Sequence, residues 1–323
     1  TEALGGARRA AAQRPTHLAA QRGPSLLLSR AGELELAAGR QEAAEALFRE
    51  DLAGTERLVA THPRHPVLRR DLSVCHERLG EVWLAAGAAE EAERHFLRGL
   101  ALVRQLADAA PEDRELRRDL SVAHNKLGEL MLARGRVGDA VAYFEAALSI
   151  REHLLDEALS STTYQRDLTV SLERLADAAV AAGRPDRAQS LLRRAITIRE
   201  DLAADDPTNV GHQHELSLLE VRLGGALAAS GAVTEAEHSL REGLDVLNRL
   251  AANATGDVGL RQDLRYAYHH LAELLERAGR EGEADEARQR EHTLIGQMVA
   301  TAATPGCRSD DLTVDIDGTS PLR

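Results

Sequence analysis

The chain has 323 residues, 52 acidic side chains against 40 basic ones for a formal net charge of −12, and only 2% aromatic residues within a hydrophobic content of 43%. A core so poor in aromatic bulk has to be built from Leu, Ala and Val, which suits close-packed helices, and the alternating β-branched runs that mark strands are missing before the last dozen residues, so the expected fold class is all-α. The negative balance opposes a phosphate backbone and no basic stretch is interleaved with aromatics, which excludes nucleic acid; no apolar run approaches the roughly 20 residues that cross a bilayer and no signal-peptide core opens the chain, which excludes the membrane.

In chain order, glycine at 39 returns at 87, 135, 183, 231 and 279, a constant step of 48 residues. Arg70-Asp71-Leu72-Ser73-Val74 returns in the same step as Arg118-Asp119-Leu120-Ser121-Val122 and Arg166-Asp167-Leu168-Thr169-Val170, then more loosely as Glu215-Leu216-Ser217-Leu218 and Asp263-Leu264. Before each glycine, apolar residues such as Leu72, Leu79, Val82 and Ala86 lie at helical spacing and predict a helix A. After it, Ala92, Phe96, Leu100, Val103 and Leu106 continue the stripe as helix B. The glycine fits a helix end that needs φ > 0, and Pro63, Pro111 and Pro207 are placed at the start of the next helix A. A single hairpin cannot bury its stripe alone, so neighbours are expected to stack, each buried leucine then contributing roughly 1.5–3 kcal/mol.

The ends follow from the same register. Leu4 and Pro15 fall in phase with Leu52 and Pro63, so residues 1–15 read as a partial repeat, the end of an upstream helix B, as expected of a fragment cut inside that helix. Residues 16–303 form the array, in about six units. Arg288, Gln289, Arg290 and Glu291 give the last helix a polar face of the kind a terminal unit needs. Residues 304–323 read as a solvated tail, despite the alternation of Leu312, Val314 and Ile316.

The sequence Leu79-Gly80, Trp83, Ala92, Phe96 is similar to the tetratricopeptide signature, and the match recurs at Leu127-Gly128, Ala140, Phe144 and at Gly32, Ala44, Phe48. The resemblance implies a right-handed superhelical solenoid of antiparallel helix pairs whose A helices line a concave peptide-binding side. His76 and His124 depart from it at a slot often held by Trp, and Ala176 and Ala272 replace the Leu-Gly glycine, for which looser packing is expected. The period exceeds the family's 34 by about 14 residues, adding about two turns to each helix. Long-helix repeats of this kind resemble those of large multidomain bacterial regulators, where the array is an arm beside a signalling ATPase or protease.

On the concave side the register places an apolar column, Val74, Val122, Val170, Leu218 and Tyr266, and a second one, Leu84, Leu132, Val180 and Ala228. Between them lie Glu77, Asn125 and Glu173, the acidic Glu33, Glu81, Glu129, Asp177 and Glu273, and the basic Arg30, Arg78, Lys126, Arg174 and Arg222. One reading makes Arg78–Glu81, Lys126–Glu129 and Arg174–Asp177 plain i, i+3 pairs on a solvated face. The other makes Glu77, Glu81, Asn125, Glu129, Glu173, Asp177, Arg78, Lys126, Arg174 and Arg222 a groove for a protein segment with basic and apolar side chains. A carboxylate clamp would need Asn and Lys or Arg on successive A helices, and only Asn125, Lys126 and Arg174 approach that.

No metal is expected. The 13 histidines show no third ligand at helical spacing, with His212 and His214 assigned to a turn, His76 and His124 to the core, and His269-His270 unable to face one ion together. Cys75 and Cys307 give neither a disulfide framework nor a metal spacing and fit a reducing cytoplasm. Gly5-Gly6 and Gly224-Gly225 lack the lysine and strand of a phosphate loop, no catalytic motif is present, and no cofactor is implied. The expected function is a non-catalytic scaffold that binds a protein or peptide as the sensor or adaptor arm of a bacterial regulator, against the alternatives of a self-association arm or an enzyme acting on a small ligand in the groove.

Overall fold

The computed structural model describes residues 2–14, 16–204, 208–254 and 257–302. Pro15, Pro207, Cys307 and the 304–323 tail lie outside them. Among the described residues there are thirteen α-helices and no strand. The chain divides into two compact units, Thr1–Ile150 and Arg151–Arg323.

The first unit holds α1 (Glu2–Gln13), α2 (Leu18–Ala37), α3 (Gln41–Thr61), α4 (Pro66–Ala85), α5 (Ala89–Ala109), α6 (Arg114–Ala133) and the first part of α7 (Val137–Asp156). The second holds the rest of α7, α8 (Thr162–Ala181), α9 (Pro185–Ala204), α10 (Val210–Ser230), α11 (Val233–Asn253), α12 (Val258–Arg277) and α13 (Glu281–Ala302). From α2 onward the even-numbered helices are A and the odd-numbered ones B. The architecture is the expected all-α repeat of antiparallel helix pairs.

The six periodic glycines all take positive φ, between 68° and 84°, and no other residue does so among those described. Each lets the residue after it donate its backbone N–H back to the last turn, as from Arg40 to the Glu35 carbonyl at 2.8 Å and from Arg136 to that of Met131 at 2.8 Å. This closes the carbonyls a helix end leaves open and turns the chain into helix B within three residues. Because the C-terminal turn is spent on this reversal, Ala86 caps α4 in the open and does not extend the buried stripe as expected.

Helix A starts later than the prolines suggested. Pro63 and Pro111 lie in the turn, three residues before the first helical positions Pro66 and Arg114. The start is set by a second periodic series, residues 17, 65, 113, 161, 209 and 257, all with extended backbone. Asp113 accepts the backbone N–H of Glu115 and Leu116, Ser161 that of Tyr164, and Asp257 that of Leu260. Asn209 accepts those of Gly211 and His212, so α10 begins at Val210 and the two histidines assigned to a turn, His212 and His214, are helical.

Within each pair the Leu-Gly glycine meets the large residue sixteen positions on. A methyl group at Gly32, Gly80 or Gly128 would sit 2.5, 2.4 or 2.5 Å from the ring of Phe48, Phe96 or Phe144. Ala44, Phe48, Leu79 and Val82 accordingly form one dry cluster of the first unit. Where Ala176 and Ala272 stand instead, the opposing residue is Leu192 or Arg288, and both alanines are fully buried, so the expected looseness does not open these sites to water. Arg288 bonds Glu276 and Glu291.

Candidate functional site

The repeated Arg-Asp of the pentad is a clip between successive A helices. Arg22 donates to both carboxylate oxygens of Asp71, at 2.6 and 2.9 Å, and Arg70 to those of Asp119, at 2.5 and 2.9 Å. In the second unit His214 takes the arginine's place and lies 2.7 Å from Asp263. In these three contacts the donor is the first residue of the motif and the acceptor the second one of the next A helix, 49 positions on. The Ser or Thr two residues further on donates to its own helix, Ser73 to the Arg70 carbonyl at 2.7 Å and Thr169 to that of Arg166 at 2.8 Å.

The expected acidic and basic columns interlock in the same manner. In the first unit Arg78 reaches Glu33 at 2.9 Å and Glu81 at 3.2 Å, while Lys126 reaches back to Glu81 at 2.8 Å. Arg30 completes the row on Glu33 at 2.8 Å. In the second unit Arg222 grips both oxygens of Asp177 at 2.5 Å. The i, i+3 pair is therefore real for Arg78 and Glu81, but the repeating contact runs from a base to the acid 45 positions before it, on the preceding A helix. Burial works against the charge on Arg78 and on Lys126, yet their carboxylate neighbours, Glu81 foremost, outweigh it and raise both pKa values. Glu129 adds to the field on Lys126, and Arg174 to that on Glu173.

Glu77, Asn125 and Glu173 stand apart from this zipper. Asn125 is buried. Burial, chiefly, raises the pKa of Glu173, against the opposing pull of Arg222. Tyr266 packs beside Arg222 and Asp177, and burial followed by the Asp177 charge pushes its phenol up to about 12. Glu77 is raised by burial and next by Glu81, and it makes no hydrogen bond or ion pair among the described residues.

Glu77 lines a cavity of about 160 Å³ between α4 and α6, together with Val74, Gly99, Asp119, Val122 and Lys126. A methyl at Gly99 would find only the Ser73 carbonyl close by, at 3.3 Å, whereas one at the equivalent Gly243 would strike the Ser217 carbonyl and Val221 at 2.7 Å. Val221 occupies the register position of Glu77 and packs directly against Gly243. Val74 and Val170 of the apolar column are exposed, as is Val180 of the second.

Two features of this face were not foreseen. The clip of Arg22, Arg70 and His214 was visible as a conserved spacing of opposite charges at 49 residues within the repeat, but not as a contact. The buried Arg151 and Arg199 on the B helices were not singled out; Arg151 donates to Ser171 at 3.0 Å and Arg199 pairs with Glu215. Among the described residues no cluster of three or more His, Cys, Asp and Glu could hold a metal ion, and no helix is long and apolar enough to cross a membrane.

Residues 123–158, one helical pair, match the tetratricopeptide repeat profile. No curated protein matches the chain by sequence. Among solved structures, BtubC from P. vanneervenii is similar over 83% of this chain and 95% of its own, with 18% identity and a TM-score of 0.60. A signal-transduction ATPase with numerous domains and a tetratricopeptide repeat sensor, from Pyrococcus horikoshii, is similar over 90% of this chain and 39% of its own, with 12% identity and a TM-score of 0.60. A Rap protein complexed with Competence and Sporulation Factor is similar over 87% of this chain and 76% of its own, with 11% identity and a TM-score of 0.53. At these identities the likeness is one of fold.

Proposed function

We propose that this array of tetratricopeptide-type repeats is a non-catalytic scaffold that binds a segment of another protein along the exposed face of its A helices. The segment inserts an apolar side chain between α4 and α6 and sets a positive charge beside Glu77. The observation that carries the reading is the cavity itself, with Val74 and Val122 for the apolar side chain and, at its edge, Glu77, which makes no hydrogen bond or ion pair among the described residues although Lys126 and Arg78 both act on its charge. Its volume of about 160 Å³ is close to the roughly 150 Å³ of an engineered apolar cavity that takes up benzene, so one medium side chain fills it.

The interlocked columns change what the acidic residues do. Glu33, Glu81 and Asp177 are occupied by Arg78, Lys126 and Arg222, so they hold successive helices in register, and recognition falls to Glu77 and the valines. The fold supports a place in a larger regulator as a sensor or adaptor arm, since the similar Pyrococcus horikoshii protein carries its repeats as a sensor.

Selection from a random-peptide display library tests this. Enriched peptides should pair a medium apolar residue with Lys or Arg, and Val74→Asp should weaken their binding by at least tenfold, with Glu77→Gln affecting the basic position. Peptides without that pairing, or binding indifferent to Val74→Asp, would sink the proposal.

A further inference from the structure

A second constellation lies on the other side of the first unit, where α3, α4 and α5 meet, and the scaffold reading does not use it. Arg49 from α3, Trp83 from α4, and Glu91, Arg94, His95 and Arg98 from α5 surround an open cavity of about 340 Å³. Its floor is apolar, made by Leu52, Leu79 and the indole of Trp83. The Arg49 guanidinium lies over that indole, 5.2 Å from the ring centroid. The size falls in the range of roughly 300–1,000 Å³ typical of small-molecule pockets.

The charge count is lopsided. Arg49 pairs with Glu45 at 2.7 Å and Arg94 with Glu91, whereas Arg98 has no carboxylate partner among the described residues. Three guanidinium groups against two carboxylates leave a local surplus of one positive charge on a chain of net −12. Burial first, then Arg98, Arg94 and Arg49, push the pKa of His95 down, and Glu91 opposes them. His95 turns its Nδ1 to that of His76, 3.0 Å away, and is held at the rim.

No other repeat reproduces this set. The register equivalents of Trp83 are Glu35, Met131, Ala179, Leu227 and Leu275; those of Arg98 are Glu50, Ala146, Arg194, Glu242 and Arg290, so the arginine recurs twice but never with the indole. A solvated arginine face would need neither the indole nor the apolar floor beneath it.

We propose that this cavity binds a small organic oxyanion with a flat apolar body, the body stacking on Trp83 and the head group taken by Arg98 with Arg49 and Arg94. The guanidinium fork suits a planar or tetrahedral oxyanion, and a ring beside an indole and a second guanidinium gains stacking on both.

Trp83 is the sole tryptophan, so its fluorescence reports on this site alone. The full chain is titrated with phenyl phosphate, with benzyl alcohol as the body without charge and inorganic phosphate as the charge without body, and calorimetry follows the same titrations. Phenyl phosphate should bind saturably, at least tenfold more tightly than either control. Arg98→Gln should weaken it about tenfold, the loss of one charge-assisted bond. Arg98 is exposed, so the variant should unfold at the wild-type temperature. Absence of saturable binding by both methods, equal binding of phenyl phosphate by Arg98→Gln, or equal binding of inorganic phosphate would each overturn the proposal.

Discussion

Replacing Gly80 by alanine sets two effects of known size against each other. Gly80 lies inside α4, where helix propensity alone favours alanine by about 1 kcal/mol. The added methyl, however, would lie 2.4, 2.6 and 3.0 Å from three ring atoms of Phe96, more than an ångström inside normal carbon contact at the closest. The ring is buried but borders the cavity between α4 and α6, which gives it some room, so overpacking of about 2 kcal/mol, the middle of its usual 1–3, is expected, for a net loss of about 1 kcal/mol. The second unit holds the compatible pair, Ala176 facing Leu192, both fully buried. In a Phe96→Leu background Gly80→Ala should therefore lose most of its penalty. Denaturant unfolding of the four proteins gives the cycle, with a coupling of about 2 kcal/mol expected. Stabilisation by Gly80→Ala alone, or a penalty unchanged by Phe96→Leu, would refute the claim that this glycine exists to admit the ring.

The Arg222 and Asp177 side chains are 6% and 16% exposed, so Arg222→Ala should destabilise the second unit by about 3–5 kcal/mol, with Arg222→Ala/Asp177→Asn recovering part of it; a single-variant loss under about 1 kcal/mol in urea unfolding would show the pair to be ornamental. His76 and His124 are buried and their pKa values are depressed to about 4, by burial first and then by neighbouring positive charge. The unfolded chain takes up these protons first, so stability is fully present above about 6.5 and is lost as pH falls toward 4, by at most about 1.4 kcal/mol per pH unit for each histidine. His214 runs the other way, its bond to Asp263 raising its pKa, so its contribution is lost as pH rises through that raised value. Thermal unfolding midpoints of wild type and of His76→Gln/His124→Gln between pH 7 and 4 check the sum, the variant being expected to show the flatter profile.

The fold was legible because its two strongest signals have single physical causes. Glycines in one phase mark the only backbone positions among the described residues with φ > 0, and the Gly and Phe sixteen residues apart are matched by volume. Helix starts were harder. Proline is conspicuous, so Pro63 and Pro111 drew the boundary three residues early, while the cap series of His17, His65, Asp113, Ser161, Asn209 and Asp257 varies in identity and is united only by its place. A side-chain oxygen recurring by position and not by name is invisible to a search for identical letters, though four of the six are ordinary capping residues.

The charges show why the face of the A helices was half legible. Within one helix, spacing alone says that i and i+3 are neighbours, and this found Arg78 and Glu81. Between stacked parallel helices one repeat apart, residues separated by 48 stand at equal height, so a long side chain reaches its counterpart displaced by one residue or by one turn. The first reach gives the 49-residue clip of Arg22 to Asp71, the second the 45-residue step of Lys126 to Glu81. Both depend on how adjacent helices are rotated about their axes, which a hydrophobic stripe sets only coarsely. Once the two ladders are drawn, most of the columns are used up in holding helices in register. The groups left over are then the informative ones: Glu77 at the cavity between α4 and α6, and Arg98 at the cavity that the sole tryptophan lines. A charge that the stacking does not consume is available to a ligand, and both proposals rest on that distinction.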